Sequence, residues 1–291
     1  RLTRFIDRYL SALTRVYHPA NIAHQQAVPH YMAALAGLVD NFVSSDGSIY
    51  ELGPASVSIE YFLINWLLEK VGCNIDLGGD AFPFMTTREA ELAGIPVRLF
   101  RVSFSGELAF EVNIDSNHAL SMWQTLMDAG REFDITPYGT ETMHVLRAEK
   151  GFIIVGQDTD GSVTPVDLGM NWMLSRDKDY LGRRSLSRPD CVRDNRKQLV
   201  GLLSEDNETV IPEGAQLVND LSAPEPVPMC GHVSSSYRSA CLGHPIALAL
   251  VEGGRARRNE VVHAWSSGRE PIPARIVSPL FYDPKSERQH D

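Results

Sequence analysis

Two groups of acids have surroundings that suggest chemistry. Glu111 stands inside the apolar run AFEVNI (109–114), on the alternation phase opposite Phe110 and Val112. A strand-borne Glu in that phase ordinarily faces solvent. The functional alternative is a carboxylate that accepts paired N–H donors from a flat heterocycle, a bidentate task suited to Glu or Asp. The second group is DTDG (158–161), which has the opening of a calcium loop. The bidentate Glu expected at the loop's twelfth position is replaced by Gly169, so a solvated turn is the better reading of the sequence.

The remaining candidates are weaker. His18, His24 and His30 lie six apart, on different sides of a helix, and make poor joint metal ligands. Cys73, Cys191, Cys230 and Cys241 fall at no metal or redox spacing and read as four free, mostly buried thiols. No P-loop, no G-x-G-x-x-G and no G-x-S-x-G elbow occurs, so neither a nucleotide site nor a serine nucleophile is predicted.

Charge narrows the partners. With 37 Asp and Glu against 27 Lys and Arg, the net charge is −10, and phosphate backbones would repel the chain; nucleic acid is excluded as a partner. The basic stretch GGRARRNE (253–260) reads as a solvated turn. The richest apolar run, YFLINWLLEKVG (61–72), is too short to span a bilayer and carries Glu69 and Lys70. The first residues, RLTRFIDRYLSALTRVY, scatter charge throughout and do not read as a signal peptide. A cytoplasmic setting without a membrane is expected.

The elements that must position these residues follow from periodicity. Helical spacing runs through 1–17, 30–43 and 57–71. From about residue 95 the period becomes two: PVRLFRVSF (96–104) and LAFEVNID (108–115) flank SGE as a β-hairpin. Asp115 or Ser116 then caps a helix whose inner face holds Leu120, Trp123, Leu126 and Met127. Thr140 caps the next helix, Gly151 ends it in a left-handed conformation, and FIIV (152–155) reads as a short buried strand or its approach. Past about 195, five short apolar runs alternate with Gly/Pro turns: QLVGLL, GHVSS, PIALALV, EVVHAW and IPARIVSPLF. That pattern predicts an antiparallel barrel or sandwich, entered through the polar segment LSRPDCVRDNRKQ.

Taken in order, SFSGELAFEVNI, TPYGTETMHVLRAEKGFIIVGQDTDGSVTPVDLGMNWM, DYLGRRSL, KQLVGLL, GHVSSSYRSACLGHPIALALV and PARIVSPLFYDP resemble the tetrahydrofolate-dependent aminomethyltransferase (glycine-cleavage T-protein) family. Within it, AFPFM (81–85) and the 136–161 stretch resemble the T-protein-like half of the α subunit of heterotetrameric sarcosine oxidases. The resemblance implies an α+β fold: a helical N-terminal segment of unclear relation (1–50), a partial T-protein-like folate-binding domain (51–192) and an antiparallel β-barrel or jelly-roll C-terminal domain (193–291). It also implies that Glu111 binds the pterin ring of tetrahydrofolate, and that the acids around 136–161 are architecture around that ligand.

Two departures accompany the resemblance. Glycine-cleavage enzymes carry an arginine at a place that falls near Met143 here, where there is none, a difference that sarcosine oxidase-like sequences share. The family's glycine-rich hairpin ending in a catalytic aspartate is not evident. SSDGSIYELGPAS (44–56) fits a later glycine–proline turn, with Gly53 and Pro54, better than a degenerate hairpin with Glu51. No catalytic residue is therefore assigned. The function implied is capture of the methylene unit from oxidised sarcosine by tetrahydrofolate, giving 5,10-methylenetetrahydrofolate and glycine. Flavin and the other oxidase subunits would be separate polypeptides. The alternatives are a stand-alone aminomethyltransferase of the glycine-cleavage type and a non-catalytic folate-binding or assembly module.

Overall fold

A computed structural model of the chain describes residues 59–61 and 70–287. The helical stretches expected over 1–17 and 30–43, and the three histidines, lie outside these residues. The chain divides into two compact units, one of Arg1–Val102 with Ala109–Ile135, the other of Ser103–Leu108 with Thr136–Asp291.

The first unit is built on a four-stranded antiparallel sheet. Its strands are β1 (Ile59–Tyr61), β2 (Thr87–Leu92), β3 (Ile95–Phe100) and β4 (Phe110–Ile114), in the order β1-β4-β3-β2. β1 occupies part of the stretch whose spacing predicted a helix over 57–71, so that helix does not begin at 57. Strands β3 and β4 pair as expected, but they stop at Phe100 and resume at Phe110, so a long loop replaces the tight SGE turn. The tight hairpin lies one connection earlier. β2 and β3 meet across Ala93 and Gly94, at φ 52° and 75°, the double positive-φ geometry that matches strand twist.

Val97, Leu99, Phe110 and Val112 bury one face of this sheet. Asp115 accepts from the Asn117 amide at 2.9 Å and starts a 3₁₀ turn, Ser116–His118, which leads into α1 (Ala119–Gly130). The inner face of α1 holds Met122, Leu126 and Gly130. Leu120 is 69% exposed, so the expected face was about one residue out of phase.

The second unit is a closed six-stranded antiparallel barrel with the helix α2 (Thr140–Glu149) on its flank. The strands are β5 (Lys197–Ser204), β6 (Gln216–Val218), β7 (Met229–Arg238), β8 (Pro245–Glu252), β9 (Val261–Trp265) and β10 (Ile272–Val277), ordered β10-β5-β8-β7-β6-β9. All five predicted runs are strands. The sixth, β6, has three residues and closes the ring between β7 and β9, too short to register as a run.

β8 explains why PIALALV lacks alternation. Ala247, Ala249 and Val251 point into the barrel core with Val200, Leu202 and Leu217, while Ile246, Leu248 and Leu250 pack outward with Ala148 of α2, Ile153 and Phe281. A strand covered on both faces has no polar phase. The small interior alanines suit a narrow six-stranded lumen. Residues 152–155 form no strand; they run as loop across this outer layer, and Val155 is 84% exposed.

Candidate functional site

Glu111 lies on β4 between β1 and β3, with Glu60 and Phe100 as its cross-strand neighbours in register. Phe110 and Val112 are fully buried, whereas Glu111 and Asn113 are half-buried on the opposite face, as the sequence phase predicts. Because directly paired residues share a face, Glu111 and Asn113 have Phe100 and Arg98 beside them on β3. Arg98 is committed to Glu89 of β2 at 2.8 Å. Asn113 is different: its side-chain nitrogen is buried and has no hydrogen-bond partner among the described residues. Behind the sheet, Phe82 and Phe110 pack with ring centroids 5.9 Å apart, and the Arg101 guanidinium lies 5.1 Å from the Phe110 ring. Burial lowers the Arg101 pKa from its ordinary value.

This face can recognise a flat ligand with both donors and acceptors. A carboxylate accepts, a neighbouring buried amide N–H two residues along has an unmet bond to donate, and an aromatic ring stands opposite. An orphaned buried donor costs on the order of 1–3 kcal/mol, so it is a feature that a ligand acceptor would relieve. Sequence reasoning singled out Glu111 and missed Asn113, although both occupy one phase of AFEVNI.

In the barrel unit the structure overturns the solvated-turn reading of DTDG. Asp158 has no exposed surface and receives four donors: a guanidinium N–H of Arg147, the Ile154 amide at 2.8 Å, and the hydroxyls of Ser234 at 2.6 Å and Ser235 at 2.7 Å. Consecutive strand residues normally face opposite ways. A bulge in β7 between Val233 and Ser235 lets both serines turn to one carboxylate. Arg147, also fully buried, donates besides to Phe152 O at 3.0 Å and Ser235 at 2.7 Å, and lies over the Tyr237 ring at 5.8 Å. Asp160 is the acid in the loop that does serve a turn, accepting from the Ser162 amide and hydroxyl at 2.8 and 2.6 Å.

The rest of α2 is locked in the same manner. Glu149 accepts from Ser239 at 2.5 Å, and its carbonyl accepts the amides of Phe281 and Tyr282. Thr140 is the first helical residue and makes no cap; Gly139 precedes it without a side chain to accept from the first-turn amides. Gly151 takes the left-handed conformation expected of it, at φ 69°.

Asp167 receives Arg196 through both carboxylate oxygens at 2.7–3.0 Å and the Thr164 amide at 2.8 Å. Burial pushes the Asp167 carboxyl up, but the Arg196 and Thr164 hydrogen bonds outweigh it and hold the pKa below the usual value. Arg196 comes from the polar segment read as a linker, yet it is buried. The basic stretch 253–260 is only partly a solvated turn. Arg255 donates to Val166 O at 2.5 Å, and Arg257 binds Asn219 and Glu260 at 2.7 and 2.8 Å.

Among the described residues no group of His, Cys, Asp and Glu is arranged to hold a metal, and no helix is long and apolar enough to cross a membrane. Of the four cysteines only Cys230 is buried; Cys73 and Cys191 are half-buried and Cys241 is exposed.

Comparison with known proteins matches residues 65–178 to the GCVT N-terminal domain and residues 197–283 to the glycine cleavage T-protein C-terminal barrel domain. The chain is 48% identical over 226 residues to the sarcosine oxidase subunit alpha of Corynebacterium sp. (strain U-96), covering 77% of this chain and 23% of that protein. It is 38% identical over 228 residues to the subunit alpha of Rhizobium meliloti (strain 1021), with the same coverage. An aminomethyltransferase of Deinococcus deserti is 34% identical over 167 residues, 57% of this chain and 42% of that one. The chain thus spans about a quarter of the length of the sarcosine oxidase relatives it matches. Among solved structures, the glycine cleavage system aminomethyltransferase T from Bartonella henselae superposes with a TM-score of 0.62 at 21% identity, over 75% of this chain and 57% of that chain.

Proposed function

Because the chain belongs to the glycine cleavage T-protein family, we propose that it is the tetrahydrofolate-binding, aminomethyltransferase-like part of a sarcosine oxidase. In this reading it captures the methylene unit of oxidised sarcosine and yields 5,10-methylenetetrahydrofolate and glycine. Residues 51–192 hold the folate and 193–291 form the barrel domain. Flavin is held by other polypeptide, the partners are the remaining oxidase subunits, and the setting is cytoplasmic. The identity to two sarcosine oxidase α subunits, above that to the aminomethyltransferase, favours the oxidase over a stand-alone transferase.

The observation that carries the reading is the Glu111 face of β4. Tetrahydrofolate supplies the nucleophilic nitrogen that takes up the one-carbon unit; the protein's work is to hold and orient it. The Glu111 carboxylate accepts the paired N–H groups of the amino-pyrimidinone edge, and each such charge-assisted bond contributes on the order of 1.5–3 kcal/mol. The Asn113 side-chain nitrogen, buried with no hydrogen-bond partner among the described residues, is available to donate to the ligand's acceptors. Phe100, paired with Glu111, offers an aromatic edge beside the ring.

Titration of the purified chain with tetrahydrofolate tests this. Glu111→Gln replaces one acceptor oxygen with a donor that meets an N–H head-on. Affinity should fall about tenfold to a hundredfold, or roughly 1.4–2.8 kcal/mol, with little change in melting temperature. Equal affinity in the Gln variant would remove Glu111 from the site. A wild-type chain that binds no folate would favour the assembly-module alternative.

A further inference from the structure

A cavity of about 420 Å³ lies where β6 begins and β9 ends, within the size range of small-ligand pockets, roughly 300–1,000 Å³. Its walls are two turns held by main-chain bonds. The Gly214 amide donates to Val233 O at 3.0 Å and the Val233 amide to Ala215 O at 2.9 Å, which ties the entry of β6 to β7. Beyond β9 the Arg269 amide closes the second turn on Ser266 O at 3.2 Å. Gly214 and Gly268 both hold φ +75°, so each turn uses a backbone conformation that favours glycine. Between the turns Gln216 and Trp265 are directly paired and share a face, while their neighbours Leu217 and Ala264 fill the barrel core. Trp265 is 38% exposed there.

The side chains that line this cavity are uncommitted. Glu213, Gln216, Ser266 and Ser267 make no hydrogen bond or ion pair with another described residue. Elsewhere in the same unit Glu205, Glu208 and Glu260 are each bridged to an arginine, at 2.8–3.3 Å. Glu213 brings a negative charge to the cavity, and among the described residues no Lys, Arg or His lines it. An anion would therefore be repelled, and a neutral ligand would leave the carboxylate without a counter-charge. An indole is the best of the aromatic partners for a cation. We propose that this cavity binds a small hydroxyalkylammonium cation, its ammonium held by Glu213 and Trp265 and its hydroxyl by the Gln216, Ser266 and Ser267 side chains. Both turns belong to the barrel unit, so the proposal is independent of the pterin reading of Glu111.

Titration of the full 291-residue chain with choline chloride tests this, followed through the amide NMR signals of Gly214 and Gly268 and compared with equal sodium chloride. One cation–π contact and one solvent-exposed ion pair are each modest, so saturation with a Kd on the order of 1–10 mM is expected. The neutral isostere of choline, with carbon in place of nitrogen, keeps the shape without the charge and should bind at least about tenfold more weakly. Glu213→Gln should weaken choline about threefold to tenfold and leave the neutral isostere unchanged. Trp265→Leu should weaken choline about tenfold. Glu213 is exposed, so its replacement reads the site even where loss of Trp265 destabilises the barrel. The proposal is overturned by shifts that do not saturate by roughly 50 mM choline. Equal binding of the neutral isostere, or choline affinity untouched by Glu213→Gln, overturns it as well.

Discussion

Replacing Asp158 by Asn should be among the most damaging conservative changes in the barrel unit. The carboxylate divides its work: Oδ1 accepts the two serine hydroxyls, and Oδ2 accepts the Arg147 guanidinium and the Ile154 amide. An Asn can turn its NH₂ toward the serines, whose hydroxyls rotate and accept, so the hydrogen bonds can largely be kept. What cannot be kept is the charge, and Arg147, with no exposed surface, is left uncompensated. Unit charges about 4 Å apart at an effective dielectric near 20 attract by about 4 kcal/mol. Loss of one partner of a buried pair costs about 3–5 kcal/mol, in agreement. For a unit of this size that corresponds to a fall of about 6–20 °C in melting temperature. Urea unfolding followed by circular dichroism measures the loss directly. The double variant Arg147→Met with Asp158→Asn should lose less than the sum of the singles, by about 2 kcal/mol. A loss below about 1 kcal/mol for Asp158→Asn, or strict additivity in the double variant, would refute the reasoning.

Two further outcomes follow from the barrel unit. Burial, then the nearby Lys197 charge, lowers the His232 pKa below its ordinary 6.5, with Asp160 opposing; the unfolded chain therefore binds the proton more readily, and the stabilisation is complete above pH ~6.5 and declines as pH falls from there toward the folded pKa. His232→Gln should flatten the stability profile between pH 7 and 5, and two parallel profiles would refute the assignment. Gly151→Ala should be destabilising by about 1–2 kcal/mol from its left-handed backbone alone, and by more because the new Cβ would lie 2.4 Å from Pro279 O. Gly214→Ala, at φ +75° with nothing within 4 Å, carries only the backbone part, and equal losses at the two sites would show that the collision is relieved.

The features that were legible in the sequence are those set by neighbours within one element. Five barrel strands show as apolar runs because each buries at least one face. Glu111 and Phe110 separate correctly because strand alternation is strict. Failures begin where the partner is distant. FIIV is as apolar as a strand, but it is a loop that lays Ile153 on the barrel's outer layer and leaves Val155 exposed. The face of α1 depends on which side the sheet approaches, and Met122 rather than Trp123 faces inward.

DTDG carries the misreading furthest, and the RAEK end of α2 has the same kind of distant partners. Arg147, Glu149, Lys150 and Asp158 look like a solvated helix end and turn, yet all four are buried. Their compensating groups stand far away in sequence: Ser234 is 76 residues from Asp158, Ser239 is 90 from Glu149, and Asp283 is 133 from Lys150. No window of a few residues contains both halves of such a pair. A polar run that ends in a left-handed glycine is therefore consistent with a solvated helix end and equally with a buried junction. Here Gly151 lies against Pro279 O, and the Phe281 and Tyr282 amides bond the Glu149 carbonyl. The returning C-terminal segment is what takes this helix end out of water.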